Sequence, residues 1–429
     1  METVLIGLSF ALICGLMMSR VTQKIGLPAV TAYLLAGLLI GPYFLGRLQI
    51  EGFGFTSLER VEMFSILTQT ALGFIAFAIG NEFRLSSLKT MGKQAITIGI
   101  LQAVITTMLV DVVLIALHIV LPEVISLSSA VTLGAIAAAT APAATLMVVR
   151  QYKADGPLTR LLLMVVAIDD AVGLVLFAAS FGVATAIETG SVSIIGVLVE
   201  PLVEIVFSLV LGAVIGYLLN IAEIMFHSRS KRMSLAVSAV VLACGLSMTS
   251  FHIGPVHCGF SLLLVNMMAG TVFCNICEAS EELMDRLERW TSPINILFFV
   301  LSGAELNLSI LTNPAVLLIG IVYIISRSCG KIFGSYLSSK QTHCSESIQK
   351  HLGITLLPQA GVALGMALTA TALRDGAIVR SVVLFSVLVY ELVGPTLTKK
   401  SLLAAGEIQT EKKTNARMVN AKKEEFKLN

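Results

Sequence analysis

The sequence predicts an all-α protein that crosses a membrane many times. Apolar residues make up 56% of the 429 residues, and charged residues make up only 13%. The mean hydropathy is +0.90. Thirteen apolar stretches follow one another along the chain, each close to the length of about 20 residues that a membrane-spanning helix needs.

Composition excludes several functional classes. A soluble domain has about 25% charged residues on average, roughly twice the share in this chain, so most of its surface must face lipid. This excludes a cytosolic enzyme and a disordered protein. The formal charge of +2 also argues against a nucleic-acid partner. We therefore expect no enzymatic activity and no cofactor, and we expect the lipid bilayer to surround the protein.

The first apolar stretch is predicted to be a membrane span rather than a cleaved signal, because no basic residue precedes it and no small-residue cleavage site follows it. Residues 1–400 are predicted to form the transmembrane domain, and residues 401–429 a short polar cytoplasmic tail. The predicted spans are 4–19, 27–44, 61–80, 95–119, 128–149, 158–186, 192–218, 233–251, 256–275, 293–311, 314–338, 351–373 and 379–398.

The fifth and twelfth spans are each predicted to be interrupted by a proline. Pro142 removes a backbone donor at membrane depth, where Thr140 can bond the freed groups. Pro358 interrupts the twelfth span, beside Gln359 and Gly361. The two breaks are seven spans apart, an odd number that reverses their orientation. Matched breaks in inverted halves predict a binding site at the membrane midplane.

The sixth and eleventh spans contain charged residues at membrane depth. Asp169 and Asp170 are adjacent in the sixth span, and an aspartate at the centre of a membrane helix costs about 2.5–3.5 kcal/mol. Arg327 and Lys331 are four residues apart in the eleventh span and share one helix face. Charged residues within membrane spans usually belong to a functional site. In the alternative interpretation an aspartate only joins helices through Lys331, although one lysine cannot neutralise both carboxylates.

The basic residues predict the orientation in the membrane. Twenty-three lysines and arginines lie in the tail and in or beside the odd-numbered connections, and four lie at the even-numbered ones. Because the side richer in basic residues is cytoplasmic, the N-terminus is expected outside and the C-terminus inside a multi-pass protein of the plasma membrane.

Motifs along nearly the whole chain resemble one transporter superfamily, the monovalent cation:proton antiporters. The paired aspartates are similar to its electrogenic bacterial sodium/proton branch. Besides that pair, the segments with this resemblance are Gly26–Val30, Leu35–Pro42, Phe74–Glu82, Ala139–Pro142, Gly330-Lys331 with Gly334, Leu357–Gly361 and Glu391–Pro395.

The resemblance implies thirteen helices, inverted repeats with two crossed discontinuous helices, and a homodimer. It implies that Asp170 binds the cation or the proton, and that Asp169 is its neighbour in the ion site. Lys331 is the favoured ion-pair partner of Asp169, and Arg327 is the other candidate. Thr140 is implied to lie near the ion, and the supporting residues are Arg327, Pro142, Pro358, Gln359 and Gly361.

The expected function is exchange of a monovalent cation, with Na⁺ favoured, for protons by alternating access. A potassium/proton antiporter or potassium efflux system is the alternative within the superfamily, and a sodium-coupled symporter of organic solutes is the alternative outside it. An intramembrane aspartyl protease is excluded, because adjacent residues project about 100° apart on one helix and cannot form a dyad.

Overall fold

Helices form nearly all of the described chain. The computed structural model describes residues 2–24, 27–50, 54–81, 83–189, 199–226, 228–253, 256–306 and 313–408. In these ranges the helices are α1 Glu2–Lys24, α2 Ala29–Ile40, α3 Leu58–Glu62, α4 Ser65–Gly80, α5 Leu85–Val120, α6 Leu127–Ile136, α7 Pro142–Gln151, α8 Pro157–Thr189, α9 Glu200–Ile224, α10 Arg229–Ser247, α11 Leu262–Ile276, α12 Ser280–Glu305, α13 Pro314–Gln341, α14 Glu346–Thr355, α15 Gly361–Thr369 and α16 Gly376–Ala404.

The predicted fold class is confirmed. Every predicted span overlaps a helix, or a pair of short helices, in the described residues. Eight of the described helical segments are long and apolar enough to cross a membrane. The count of thirteen crossings stays a prediction, as do the orientation and the division into a domain and a tail.

Two predicted boundaries are corrected by the structure. Residues 256–258, expected to begin the ninth span, form the strand β2 (Val256–Cys258), which pairs antiparallel with β1 (Phe251–Ile253). The tenth span was expected to begin at residue 293. Instead α12 runs unbroken from Ser280 through Pro293 to Glu305. A proline inside a membrane helix is tolerated where neighbouring groups satisfy the freed carbonyl.

Some predictions fall outside the described residues. They concern Gly26 and Glu82 of the motifs, residues 192–198 and 307–311 of two spans, and residues 409–429 of the predicted tail.

The helices form two groups that pack chiefly within themselves. We call α5–α8 with α13–α16 the core group, and α1–α4 with α9–α12 the scaffold group. In the core group, α13 packs closely on α5 because glycines face it. A Cβ atom at Gly330 would approach the Thr106 backbone to 2.9 Å, and one at Gly334 would approach the Gln102 backbone to 3.1 Å. This close approach places the charged face of α13 against the polar residues of α5.

The end of α16 is joined to the start of α8. The Glu407 carboxylate accepts hydrogen bonds of 2.7 Å from the backbone N–H groups of Leu158 and Thr159, and one of 2.6 Å from the Thr159 hydroxyl. A carboxylate there satisfies donors that have no partner within the helix and lies at the positive end of the helix dipole. The segment after α16 therefore caps the helix that contains both aspartates.

Candidate functional site

The two interrupted helices cross at their breaks. Residues 137–141 separate α6 from α7, and residues 356–360 separate α14 from α15. The Ala141 N–H donates a 2.8 Å hydrogen bond to the Pro358 carbonyl, which joins one break to the other. Pro142 is the first residue of α7, where its missing N–H leaves no helical bond unmade. Both breaks predicted from proline are therefore present, and they meet.

Arg327 satisfies the carbonyl groups that the breaks leave free. Its side chain is fully buried. Nε donates to the Ala137 carbonyl at 3.0 Å, Nη1 to the Leu357 carbonyl at 2.7 Å and Nη2 to the Ala139 carbonyl at 2.7 Å. The guanidinium also lies 4.5 Å from the centre of the Tyr390 ring. Its donors thus point at the peptide groups of both breaks, and its described contacts include no carboxylate.

Gln359 fixes the same crossing through its amide. Nε2 donates to the Ile136 carbonyl at 3.1 Å and to the Tyr323 hydroxyl at 3.0 Å. Oε1 accepts a 2.8 Å hydrogen bond from Ser386. One side chain therefore connects the end of α6 with α13 and α16, and Gly361 begins α15 two residues later.

Asp169 is held in a closed network with Lys331. Lys331 Nζ lies 2.8 Å from Asp169 Oδ2, and both side chains are fully buried. Nζ also donates to the Ala138 carbonyl at 2.5 Å, to Gln102 Oε1 at 3.0 Å and to the Thr140 hydroxyl at 2.9 Å. Thr140 donates to Asp169 Oδ2 at 2.5 Å, and the Gln102 amide donates to Asp169 Oδ1. Each oxygen of this carboxylate is therefore bonded within the protein.

Asp170 has different surroundings from its neighbour. It is 4% exposed, and Oδ1 has no hydrogen-bond partner among the described residues. Successive residues of a helix point about 100° apart, so Asp170 faces away from the network around Asp169. It lines a cavity of about 540 Å³.

This cavity lies between the core group and the scaffold group. Leu174, Phe177 and Met366 give it an apolar wall on the core side, and α4, α9 and α11 form the other wall. Asp170 and Glu204 are the charged residues among its lining. From Asp170 the cavity follows α8 toward its C-terminal end. A carboxylate at the inner end of such a cavity can bind a proton or a hard cation, which prefers oxygen ligands, but not both at once.

The site brings together the residues predicted from charge and from proline. Thr140 forms its short hydrogen bonds with Asp169 and Lys331, and its implied place near the ion stays a prediction. Gln102 was not predicted as a site residue, although it is a lone amide in the apolar fourth span and could have been noticed there. In the described part of the chain, no group of three or more His, Cys, Asp or Glu residues could hold a resident metal ion.

Comparisons with known proteins give a family match and a structural match. A family profile described as "Sodium/hydrogen exchanger, transmembrane" matches residues 8–400. A search of curated protein sequences found no match. Among solved structures, the chain is similar to two of the sodium proton antiporter MjNhaP1 from Methanocaldococcus jannaschii. The structure at pH 8 is 19% identical in sequence and has a TM-score of 0.69. The alignment covers 94% of this chain and 98% of the MjNhaP1 chain. The structure from an electron microscopy map is 17% identical in sequence and has a TM-score of 0.74. The alignment covers 95% of this chain and 98% of the MjNhaP1 chain.

Proposed function

Because the chain belongs to the sodium/hydrogen exchanger family, we propose that it exchanges monovalent cations, Na⁺ above all, for protons across the membrane. The observation on which this proposal depends is the contrast within the aspartate pair. Asp169 is neutralised by Lys331, whereas Asp170 lies at the inner end of the cavity with an oxygen that has no partner.

Asp170 is proposed to bind either ion. When the carboxyl group is protonated it has no charge to attract a cation, and when Na⁺ neutralises it the proton is displaced. Asp169, once it turns toward the cation, and water in the cavity can complete the oxygen shell that Na⁺ prefers. Because either occupant removes the other, movement of the loaded site between the two sides couples the two fluxes.

Lys331 is proposed to make the exchange electrogenic. When Na⁺ arrives, Asp169 turns from Lys331 toward the cation, and the lysine loses the interaction that stabilises its charge. It then releases a second proton, so two protons move against one Na⁺. One net charge per cycle couples the exchange to the membrane potential at about 2.3 kcal/mol per 100 mV.

Alternating access is proposed to come from movement of the core group against the scaffold group. The cavity lies at the boundary between the two groups, so a rocking motion there can close one route to Asp170 and open another. We further propose that the protein is a homodimer in the plasma membrane, with the N-terminus outside and the C-terminus in the cytoplasm.

Purified protein in proteoliposomes tests the proposal. A Na⁺ pulse should change the internal pH of vesicles with the unmodified protein, and Asp170→Asn should abolish this response while the protein still folds. Asp155→Asn is the matched control, because Asp155 is an exposed residue paired with Arg160 before α8. Exchange by Asp170→Asn at the unmodified rate would refute the proposal.

The same vesicles separate the alternatives. A pH response to K⁺ that exceeds the response to Na⁺ would favour potassium/proton antiport. Na⁺ uptake that needs an organic solute and moves no protons would favour a symporter.

A further inference from the structure

The cavity that reaches Asp170 contains a second acidic residue. Glu204 is on α9 in the scaffold group, whereas Asp170 is on α8 in the core group, and both line the same cavity of about 540 Å³. The rest of the lining is apolar apart from Ser261 and Thr369. The mechanism proposed above assigns no role to Glu204.

The backbone around Glu204 is fixed by hydrogen bonds. The Ser208 hydroxyl, one turn further along α9, donates to the Glu204 carbonyl at 2.6 Å and accepts the Ser261 N–H at 2.8 Å. Ser261 in turn caps α11, since its hydroxyl accepts the N–H of Leu264. This turn of α9 is therefore anchored to the start of α11, and the half-buried Glu204 stays at the cavity wall.

Glu204 lies closer to the start of its helix than Asp170 does. It is four residues from the start of α9, or about 6 Å along the helix axis. Asp170 is near the middle of α8. The two carboxylates line one cavity from different helices, one in each group.

We propose that Glu204 is a cation-positioning residue, which concentrates monovalent cations in this cavity and presents them to Asp170. Charge of one sign in a cleft with apolar walls focuses the electric field and raises the local concentration of counter-ions. Because Glu204 belongs to the scaffold group, it stays behind when Asp170 moves with the core group. It therefore acts on cation capture from one side of the membrane and leaves the transport step unchanged. This inference rests on the proposed cation exchange.

Cation-dependent proton flux in proteoliposomes tests this role at several Na⁺ concentrations and low ionic strength. Glu204→Gln should raise the apparent KM for Na⁺ by about three- to tenfold and leave the maximal rate within about twofold, since one screened charge is removed. Adding choline chloride should reduce the difference, because salt screens the interaction. Glu204→Asp retains the charge and should restore the KM.

Glu200→Gln is the matched control. Glu200 is on the same helix one turn earlier and is not among the residues that line the cavity, so its KM shift should be less than half as large. An unchanged KM in Glu204→Gln would overturn the proposal. So would an equal shift in the control, or a Glu204→Asp variant as impaired as Glu204→Gln.

Asp170→Asn in the same assay separates this inference from the proposed function. If Asp170→Asn is inactive and Glu204→Gln behaves as the unmodified protein does, only the role of Glu204 is wrong. If Asp170→Asn still exchanges ions, the proposed function itself fails.

Discussion

Two buried cations, four residues apart on α13, have different partners. Arg327 donates to carbonyl groups of the helix breaks, while Lys331 contacts a carboxylate as well as neutral groups. The difference follows from their chemistry. A guanidinium has five donors in a rigid plane that can serve several carbonyl groups at once, and it never loses its proton. An ammonium can lose its proton when buried, so only the lysine suits a step in which a proton leaves.

We expect Lys331→Gln to remove the dependence of exchange on membrane potential, or to abolish exchange. Glutamine can keep a hydrogen bond to Asp169 but has no proton to release. The measurement is Na⁺-driven proton flux at several imposed potentials, with Lys340→Gln, at the exposed end of α13, as the control. A potential dependence equal to that of the unmodified protein would remove Lys331 from the coupling step.

Among individual site residues, the charged ones could be predicted from the sequence more readily than the neutral polar ones. The aspartates, Lys331 and Arg327 are conspicuous because charge at membrane depth is costly. Gln102 bonds both members of the Asp169–Lys331 pair, yet a single neutral amide is a weaker signal in a sequence than a charge at the same depth. The sequence could not decide whether Lys331 or Arg327 is the partner of Asp169. Both residues lie on one face of α13, and the choice depends on how that helix is rotated and shifted relative to α8, which residue spacing does not determine.

Among the elements, the crossing of the two broken helices is held by several side chains, of which Arg327 bonds more carbonyl groups than Gln359 or Lys331 does. Four short helices end or begin at this crossing, so carbonyl groups at two helix ends lack partners within their own helix. Arg327 serves three of them and is fully buried. No water from the bulk can replace these bonds without opening the packing around the breaks.

Arg327→Gln should therefore destabilise the fold more than it alters ion selectivity. Several buried carbonyl groups would lose their partner, which should lower the free energy of unfolding by about 2–4 kcal/mol. Thermal unfolding in detergent measures this loss as a lower apparent Tm. Arg380→Gln, on the exposed side of α16, should leave the Tm unchanged, and equal Tm values for the two variants would contradict the structural role of Arg327.

The positions of the helices could be predicted from the lengths of the apolar stretches, and the two helix breaks could be predicted from the prolines. Pro142 and Pro358 both stand at real interruptions, whereas Pro293 lies inside the continuous helix α12. The sequence does not separate these cases, because the outcome depends on which groups surround the proline. The strand pair of β1 and β2 was missed because most of its residues are apolar and four of the six fall within predicted spans.

Across the whole molecule, described polar contacts join the two groups of helices where α7 ends. The Gln151 side chain accepts the Ala29 N–H at the start of α2 at 2.7 Å, and Arg150 pairs with Glu288 of α12 at 3.5 Å. Asp170 and the cavity lie toward the other end of the site. We interpret these contacts as a closure of the route on the α7 side, which must separate when the core group moves.

Linking Ala29→Cys to Gln151→Cys should arrest exchange. In a variant without the seven native cysteines, a short reducible thiol crosslinker between these positions should lower the rate about tenfold or more, because the motion that exposes the site is blocked. Reduction should restore the rate. Ser128→Cys with Glu188→Cys is the control pair, since its native side chains bond at 2.6 Å within the core group. Undiminished exchange after complete linking of positions 29 and 151 would contradict the closure.

The distribution of basic residues predicts the orientation of the whole chain. A tag at the C-terminus should be labelled by antibody only after the membrane is permeabilised, because the tail lies on the side with twenty-three lysines and arginines. Labelling of intact cells would reverse the assignment of both faces, including the side from which the cavity is reached.

The contact of Glu407 with α8 sets a practical limit on truncation. A chain shortened to residue 400 would lose this carboxylate, and Leu158 and Thr159 would then present free N–H groups at the foot of the helix with both aspartates. A chain that stops at residue 408 keeps Glu407 and its hydrogen bonds to these N–H groups. The shortest version suited to crystallisation should therefore end beyond Glu407, although the apolar pattern by itself would place the cut earlier.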